Sequence, residues 1–239
     1  MQMDQFTRSA PLFGEEGMAR LARSRVAVFG VGGVGGYAAE ALVRSGVGAI
    51  DLFDNDDVGL TNLNRQIIAL NSTLGQPKVE AMAARLQDIH PACCVRTHQL
   101  FYLPDTADSV DLTAYDYIVD AVDTVTAKLE LITRADRCGV PIISAMGAGN
   151  KLDPTQLRVA DIYKTTECRL ARIIRSECRR RGIQKLQVVY STEPPVVISA
   201  DNGEAPQASR RAIPASAIFV PAAMGLIIAA EVTRAIAGI

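Results

Sequence analysis

The feature of this sequence that most restricts its fold is a glycine-rich turn directly after an apolar segment. Arg25 to Phe29 has the composition of a buried strand, and Gly30, Gly32, Gly33 and Gly35 follow it with the spacing G-x-G-x-x-G. Such a turn lets backbone amides approach a phosphate at the positive end of the next helix. The pattern predicts a strand, a phosphate-binding turn and a helix, and with them a nucleotide site.

Apolar strands alternate with amphipathic helices over the first 165 residues. This is typical of a parallel sheet with helices on both faces, so we predict a Rossmann-like, doubly wound α/β fold with a mainly parallel sheet and an apolar C-terminal helix. The predicted strands are Arg25–Phe29, Ala49–Phe53, Cys94–Gln99, Asp116–Ala121, Pro141–Ala145 and Gln187–Tyr190. Predicted helices begin near Val34, Thr61, Pro77 and Thr124, and two more cover Glu167–Arg181 and Phe219–Ile236.

The chain of 239 residues is long enough to bury a core without disulfides, and we expect one domain over residues 1–239. Residues 1–165 are expected to form the nucleotide-binding core, and residues 166–239 a substrate-facing and dimer-forming appendage. The net charge is −1, and the five cysteines lack a Cys-x-x-Cys pair. Free thiols and the absence of a signal-peptide pattern predict a cytoplasmic protein.

An uncharged stretch, Ala212–Ala230, raises the question of a membrane span. It contains Pro214 and Pro221 and is rich in alanine and glycine. Its length is marginal for a span, and a buried core helix fits the composition as well. We therefore expect no membrane span.

Acidic residues follow the second predicted strand. Asp54 lies 19 residues beyond Gly35, where a carboxylate meets ribose hydroxyls, and Asp56 follows it. A nucleotide is expected here, although a dinucleotide dehydrogenase has the same glycine pattern.

Two cations distinguish these alternatives. Asn62, Arg65 and Gln66 are predicted to lie on a short helix that opens towards the cleft, and Lys78 is expected to be exposed at the start of the next helix. Two cations beside a glycine turn suit a triphosphate better than a nicotinamide dinucleotide, because more negative charge must be neutralised. The simpler interpretation of Arg65 and Lys78 is a solvated ion pair.

Two aspartates, Asp120 and Asp123, come at the end of the fourth predicted strand. Open parallel sheets bind their ligands at this end of their strands. Asp123 is predicted to be a magnesium ligand or a carboxylate that positions the substrate, with a helix N-cap as the simpler interpretation.

As a set, these residues resemble the ubiquitin-activating-enzyme-like adenylyltransferases. The resemblance covers roughly residues 6–165 and implies ATP and Mg²⁺ as cofactors. It implies that Asp54 holds the ribose, that Arg65 and Lys78 bind the phosphates, and that Asp123 holds magnesium near the attacking carboxylate. The same resemblance places four further residues in the nucleotide site: Asp56, Asn62, Gln66 and Asp120.

Further fragments resemble one branch of that family, the tRNA threonylcarbamoyladenosine dehydratases. They are Ser24–Gly36, Ala39–Gly48, Asn64–Ile67, Gly147–Gly149, Asp153–Gln156 and Ser191–Glu193. The resemblance implies ATP-dependent cyclisation of the threonylcarbamoyl group on tRNA through an adenylated carboxylate. The two Cys-x-x-Cys pairs that carrier-activating relatives use for structural zinc are absent from the sequence.

Some relatives carry a cysteine shortly before the C-terminal helix, where this sequence reads Ala212-Ile-Pro-Ala-Ser216. The chain thus departs from the pattern of a covalent thioester step. Such a step is not required, because the nucleophile can be part of the substrate. Among the cysteines, Cys168 is the candidate for a reactive thiol, and its simpler interpretation is packing at the start of a helix.

Basic residues concentrate in one predicted helix. Between Lys164 and Lys185 the local net charge is +6 in a chain of net charge −1. Arg172, Arg175 and Arg179 recur at helical spacing and are predicted to share one face. The alternatives are an RNA phosphate contact, here to tRNA, and a solvated surface.

Arg8 precedes the core on what reads as a flexible N-terminal arm. The resemblance implies a homodimer in which an arginine from this position reaches the partner's phosphates, and it names sulfur-transfer proteins as further partners. The apolar C-terminal helix offers a surface for the dimer.

Three other functions stay open at this point. The chain could adenylate the C-terminus of a ubiquitin-like sulfur-carrier protein, act as a nucleotide-binding scaffold, or be an NAD-dependent oxidoreductase. The missing zinc cysteines and the basic helix count against the first of these, and the two cations count against the others.

Overall fold

The computed structural model describes residues 4–198 and 214–239 of the chain. Ala212, in the segment compared above with cysteine-bearing relatives, lies outside this range. The strands of the described residues are β1 (Arg25–Phe29), β2 (Ala49–Phe53), β3 (Cys94–His98), β4 (Tyr117–Asp120), β5 (Ile142–Ala145), β6 (Leu157–Asp161) and β7 (Gln187–Ser191). Their α-helices are α1 (Ala10–Arg23), α2 (Gly35–Arg44), α3 (Lys78–Ile89), α4 (Val125–Cys138), α5 (Arg169–Arg180) and α6 (Phe219–Ala237).

The strands form one seven-stranded sheet in the order β3-β2-β1-β4-β5-β7-β6. All neighbouring pairs are parallel except β6 and β7. The direction of strand addition reverses between β1 and β4, so a crevice opens at the carboxyl ends of these two strands. The predicted doubly wound, mainly parallel sheet is confirmed, and β7 of the expected appendage lies beside β5 in this same sheet.

Each of the six predicted strands lies within one residue of its expected bounds. The helices expected near Val34, Pro77 and Thr124 begin at the following residue in each case. The helix expected near Thr61 is reduced to a 3₁₀ turn at Leu60–Asn62. Hydrophobic periodicity therefore located most of the elements around the crevice.

The sequence pattern missed α1 and β6. Gly14 adopts a φ of 71° inside α1, and this kink interrupts the helical period on which the prediction depended. β6 is the edge strand of the sheet, where Arg158 and Val159 are both exposed, so the buried–exposed alternation of a half-buried strand is lost.

The C-terminal helix α6 is long and apolar enough to cross a membrane by length and composition alone. In the fold it packs along α2, where a Cβ added to Gly225 would lie 2.3 Å from the carbonyl oxygen of Val34. Val220, Met224 and Ile228 are buried in the same apolar cluster as residues of α2. α6 is thus packed as a core helix.

Candidate active site

The glycine turn closes tightly at the carboxyl end of β1. Gly30 has a φ of 86°, and a Cβ on it would lie 2.6 Å from the carbonyl oxygen of Ala121. A Cβ on Gly35 would lie 1.8 Å from the carbonyl oxygen of Gly30. Within the described residues no side chain caps the N-terminus of α2, so its first amides can face a phosphate.

Asp54 is fixed against this turn. One carboxylate oxygen, Oδ2, accepts a 2.7 Å hydrogen bond from the Val31 amide, and Oδ1 accepts one of 2.9 Å from the Asp56 amide. Burial raises the pKa of Asp54, and the charge of Lys78 and the two amide donors oppose this rise. The structure therefore brings the predicted ribose ligand to the glycine turn.

Lys78 is the first residue of α3, and it is buried rather than exposed as expected. Its Nζ lies 2.6 Å from Asp56 Oδ2 and 3.8 Å from Asp54 Oδ1. The ion pair with Asp56 exists, but the ammonium group is not solvated as the simpler interpretation required. Two carboxylates thus hold a buried cation at the edge of the cleft.

Arg65 and Gln66 also reach the glycine turn. A Cβ on Gly33 would lie 3.5 Å from Arg65 Cγ, and a Cβ on Gly32 would lie 3.8 Å from Gln66 Nε2. Gln66 is buried, and its Oε1 has no hydrogen-bond partner among the described residues. A buried acceptor without a protein donor is costly in a folded protein, so Oε1 of Gln66 is open to a donor from a ligand.

These two residues do not lie on the predicted short helix. Only Asn62 belongs to the 3₁₀ turn, and its Oδ1 accepts a 3.0 Å hydrogen bond from the Gly59 amide. The Arg65 guanidinium donates instead to the carbonyl oxygen of Thr61 at 2.8 Å and to Asn64 Oδ1 at 3.0 Å. In the described part of the chain no carboxylate pairs with Arg65, which leaves its charge available to an anion.

Asp120 and Asp123 are three residues apart, but they lie in different environments. Asp123 is exposed in the loop between β4 and α4, and the N-cap of α4 is Thr124, so the N-cap interpretation of Asp123 is wrong. Asp120 is fully buried, and its Oδ2 lies 2.8 Å from Lys128 Nζ. Asp120 therefore faces the protein interior, whereas Asp123 is exposed in the loop at the carboxyl end of β4.

The sequence prediction missed Lys128. The signal available was a lysine between Ala127 and Leu131 on the apolar stripe of α4, eight residues after Asp120. A charged residue in a buried stripe is rarely fully buried unless it is paired.

The predicted arginine face of α5 is divided by the structure. Arg172 and Arg179 are exposed, and Arg179 lies 5.4 Å from the ring centroid of Tyr163. Arg175 instead donates to Thr165, at 2.8 Å to the carbonyl oxygen and 2.6 Å to Oγ1. The three arginines lie on α5 at the predicted spacing, and an internal contact holds the guanidinium of Arg175 whereas Arg172 and Arg179 are exposed.

Cys168 forms the N-cap of α5. It is buried, and its Sγ accepts a 3.5 Å hydrogen bond from the Ala171 amide. A Cβ on Gly147, in the loop after β5, would lie 3.7 Å from this sulfur. The basic helix thus begins beside the carboxyl ends of the strands. Cys168 packs at the start of this helix, as the simpler interpretation expected.

Arg8 lies far from the crevice of its own chain. It is exposed in a turn over residues 4–9, where Phe6 packs edge-on against His90 with ring centroids 5.1 Å apart. Gln5 Nε2 lies 2.6 Å from His90 Nδ1. His90 is the C-cap of α3 and Lys78 is its first residue, so this turn lies at the amino ends of the strands, whereas the glycine turn lies at their carboxyl ends. The segment is not the free arm that the sequence suggested.

No cluster of three or more histidine, cysteine, aspartate or glutamate side chains suited to a metal occurs within residues 4–198 and 214–239. Mg²⁺ is commonly held by one or two carboxylates together with nucleotide phosphates. The exposed carboxylate of Asp123 beside the cleft fits that arrangement.

The fold and the site define a class of protein: a doubly wound nucleotide-binding domain whose glycine turn lies among one carboxylate, Asp54, and two cations. The sequence pattern of the ThiF family matches residues 6–239. The chain belongs to the ThiF family.

Individual relatives agree with this assignment. The chain is 46% identical to the tRNA threonylcarbamoyladenosine dehydratase of Bacillus subtilis over 237 residues, which are 96% of this chain and 93% of that protein. The crystal structure of the E. coli tRNA N6-threonylcarbamoyladenosine dehydratase in complex with AMP superimposes with a TM-score of 0.88 at 35% identity, covering 98% of this chain and 94% of that one. Its complex with ATP gives a TM-score of 0.86 at 35% identity, with the same coverage of both chains. The resemblance stated from the sequence is confirmed.

Gly35→Ala is expected to abolish tight ATP binding, because the added Cβ would meet the carbonyl oxygen of Gly30 at 1.8 Å and force the turn open. Gly36→Ala is the matched control, since its Cβ meets only Ile67 Cγ2, at 3.2 Å, on a side chain that can move. Calorimetric titration should show an affinity loss of at least roughly 100-fold for the first variant and under about threefold for the second. Equal affinities would contradict the geometry of the turn.

Proposed function

We propose that this protein uses ATP to dehydrate and cyclise threonylcarbamoyladenosine in tRNA. The observation that carries the proposal is similarity to a dehydratase of that name over 96% of the chain. The convergence of Asp54, Lys78 and Arg65 on a glycine turn supports it, because this is the set of groups that a nucleoside triphosphate needs.

In the proposed reaction a carboxylate oxygen of the substrate attacks the α-phosphorus of ATP. The bond to the bridging oxygen breaks, pyrophosphate leaves, and an acyl adenylate forms. A nucleophile within the same modified nucleoside then attacks the acyl carbon and loses its proton, while AMP leaves with the former carboxylate oxygen. The net change in the nucleoside is the loss of one water, at the expense of one ATP.

The protein's part is to bind and orient the reactants. Asp54, held by two amides, is proposed to accept hydrogen bonds from the ribose. Lys78 exchanges Asp56 for the phosphates, and Arg65 approaches them from the other side of the glycine turn. Three more residues line the nucleotide: Asp56, Asn62 and Gln66. The Oε1 atom of Gln66 then receives the donor that it lacks in the free protein.

Asp123 is proposed to hold Mg²⁺ together with the phosphates. When bound, this ion neutralises negative charge that develops as pyrophosphate departs. Asp123 lies in the loop that follows β4, next to the glycine turn, so its carboxylate can reach the phosphate end of the nucleotide. Asp120 is buried against Lys128, and we propose a supporting role for it in place of direct nucleotide contact.

The reaction as written needs no enzyme thiol, because the nucleophile belongs to the substrate. Cys168 is buried and accepts a backbone hydrogen bond, which suits packing better than covalent chemistry.

The exposed basic side chains of α5 are proposed to bind the tRNA backbone. Arg172 and Arg179 are exposed, and Lys164 and Arg169 extend the positive surface towards the N-terminal end of the helix. That end lies beside the loop after β5, so RNA bound along α5 can lead its modified nucleoside into the crevice. Arg175 supports this surface through Thr165.

Arg8 is proposed to act on the ATP bound by the partner in a cytoplasmic homodimer. The turn that carries Arg8 packs at the amino ends of the strands, whereas the glycine turn of the same chain lies at their carboxyl ends. Arg8 therefore cannot reach the ATP of its own subunit. An arginine supplied by a neighbouring subunit can stabilise phosphate charge in the transition state. The exposed residues of α6, which include Phe219 and Leu226, offer an apolar surface for dimer formation.

Asp123→Ala is expected to lower the turnover of threonylcarbamoyladenosine tRNA by about 100-fold or more, while the KM for ATP changes little. The reason is that a magnesium-linked carboxylate stabilises charge that grows only in the transition state. Asp136→Ala, which removes an exposed carboxylate at the far end of α4, is the control and should keep full activity. Product is measured as cyclised nucleoside by mass spectrometry. Undiminished tRNA-dependent exchange of pyrophosphate into ATP by the Asp123 variant would contradict the assigned role.

Reversal of both Arg172 and Arg179 to glutamate should weaken tRNA binding and reduce the slope of log affinity against log salt by up to about 1.8, near 0.9 for each phosphate that is no longer bound. The control, Arg23→Glu with Arg137→Glu, makes the same change in net charge at two exposed sites outside α5. Binding is measured by filter retention at several salt concentrations. A salt slope equal to that of the control would show that the α5 surface is solvated and does not contact tRNA.

Mixing the inactive variants Arg8→Ala and Asp123→Ala should restore about a quarter of wild-type activity. Random pairing makes about half of the dimers mixed, and each mixed dimer contains one site with both residues intact if Arg8 acts in the partner's site. Subunit exchange is verified by native mass spectrometry. Activity that stays at the level of the separate variants after verified exchange would rule out the trans arrangement.

A further inference from the structure

A buried ionic cluster lies directly beneath the loop that carries Asp123. The Lys128 ammonium group donates to Asp120 Oδ2 at 2.8 Å, to Ser144 Oγ at 3.2 Å and to the carbonyl oxygen of Ala145 at 3.0 Å. Ser144 Oγ in turn donates to Asp120 Oδ2. The cluster therefore joins the ends of β4 and β5 to the first turns of α4.

All three hydrogens of the ammonium group have an acceptor in this cluster, and Lys128, Asp120 and Ser144 are each 0% exposed. A lysine in this position cannot touch a nucleotide or an RNA without breaking the cluster. Its effect on the reaction must therefore act through the backbone that it holds.

That backbone is the loop 121–124. It leaves β4 at Asp120 and enters α4 at Val125, so the cluster fixes both of its ends. Inside the loop, the Val122 amide donates to Asp120 Oδ1 at 3.3 Å, and the Ala121 amide donates to the carbonyl oxygen of Phe29 at 2.8 Å. The loop is thus held on one side by the cluster and on the other by the end of β1.

The free energy of a buried ion pair is consistent with a role in positioning the loop. A buried ion pair loses the hydration of both charges, and apolar residues of similar volume often stabilise a fold equally well. Loss of one partner is far more damaging, because it leaves a buried charge without a counter-ion. In some proteins a buried pair specifies a geometry that apolar packing leaves loose.

We propose that Lys128 is a positioning residue, which fixes the loop 121–124 and with it the placement of Asp123 towards the phosphate end of the nucleotide. The inference concerns the geometry of the loop, and its catalytic consequence rests on the function proposed above. It assigns Asp120, Ser144 and Lys128 to one supporting unit beneath the site.

The test compares Lys128→Met with the double variant Asp120→Asn/Lys128→Met, which replaces both charges by neutral side chains of similar size. The single variant should lower the unfolding midpoint temperature by roughly 10 °C, and the double variant should recover most of this loss. Amide hydrogen exchange in residues 121–124, measured by mass spectrometry without substrate, should be at least about tenfold faster in both. Turnover should stay at least about tenfold below wild type in the double variant, with a smaller change in the KM for ATP.

Two further variants complete the experiment. Ser144→Ala removes one hydrogen-bonding group and keeps the ion pair, so it tests the cluster even where the lysine variants do not fold. It should give a smaller increase in loop exchange and a loss of turnover of about threefold. Arg137→Met removes an exposed charge from the same helix and should leave exchange and turnover unchanged.

The positioning role is overturned by a double variant that regains turnover together with stability, or by a Ser144→Ala variant whose loop exchange and turnover both match the wild type. Wild-type protein that fails to convert the tRNA substrate would overturn the proposed function alone, because loop exchange is measured without substrate.

Discussion

The close approach of the glycine turn to the loop after β4 is the constraint on which the rest of the site depends. β1 and β4 are parallel neighbours, with Phe29 in register with Asp120, so the chain leaves both strands at the same level. The two exits fit side by side only because Gly30 has no Cβ to meet the Ala121 carbonyl oxygen. This packing places the amides of α2, the carboxylate of Asp54 and the loop of Asp123 around one crevice.

Lys78 and Lys128 are both buried near that crevice, and their surroundings give them different tasks. Lys78 has Asp56 as a close partner, and the Asp56 side chain is largely exposed, so the ammonium group can exchange this carboxylate for a phosphate. Lys128 has three acceptors inside the protein and no exposed surface. The first arrangement leaves a cation available for binding, and the second makes a cation part of the scaffold.

Burial also affects the carboxylate of Asp54, which lies beside the crevice. It raises the pKa of Asp54, and Lys78 and the amides of Val31 and Asp56 limit that rise. The charge of Asp54, the proposed ribose ligand, thus depends on its neighbours, and a change at Lys78 alters the pKa of Asp54 as well. Asp123 lies in an exposed loop, so the placement of its carboxylate depends on how firmly that loop is held.

The sequence alone determined six of the seven strands, most of the helices around the crevice and the position of the glycine turn, because hydrophobic periodicity and glycine spacing are local properties of the chain. It did not determine which charged side chains face the crevice. Asp120 and Arg175 both read as site residues, yet the fold pairs Asp120 with Lys128 and bonds Arg175 to Thr165. These outcomes depend on contacts between residues far apart in the chain or on different elements, and only tertiary packing sets such distances.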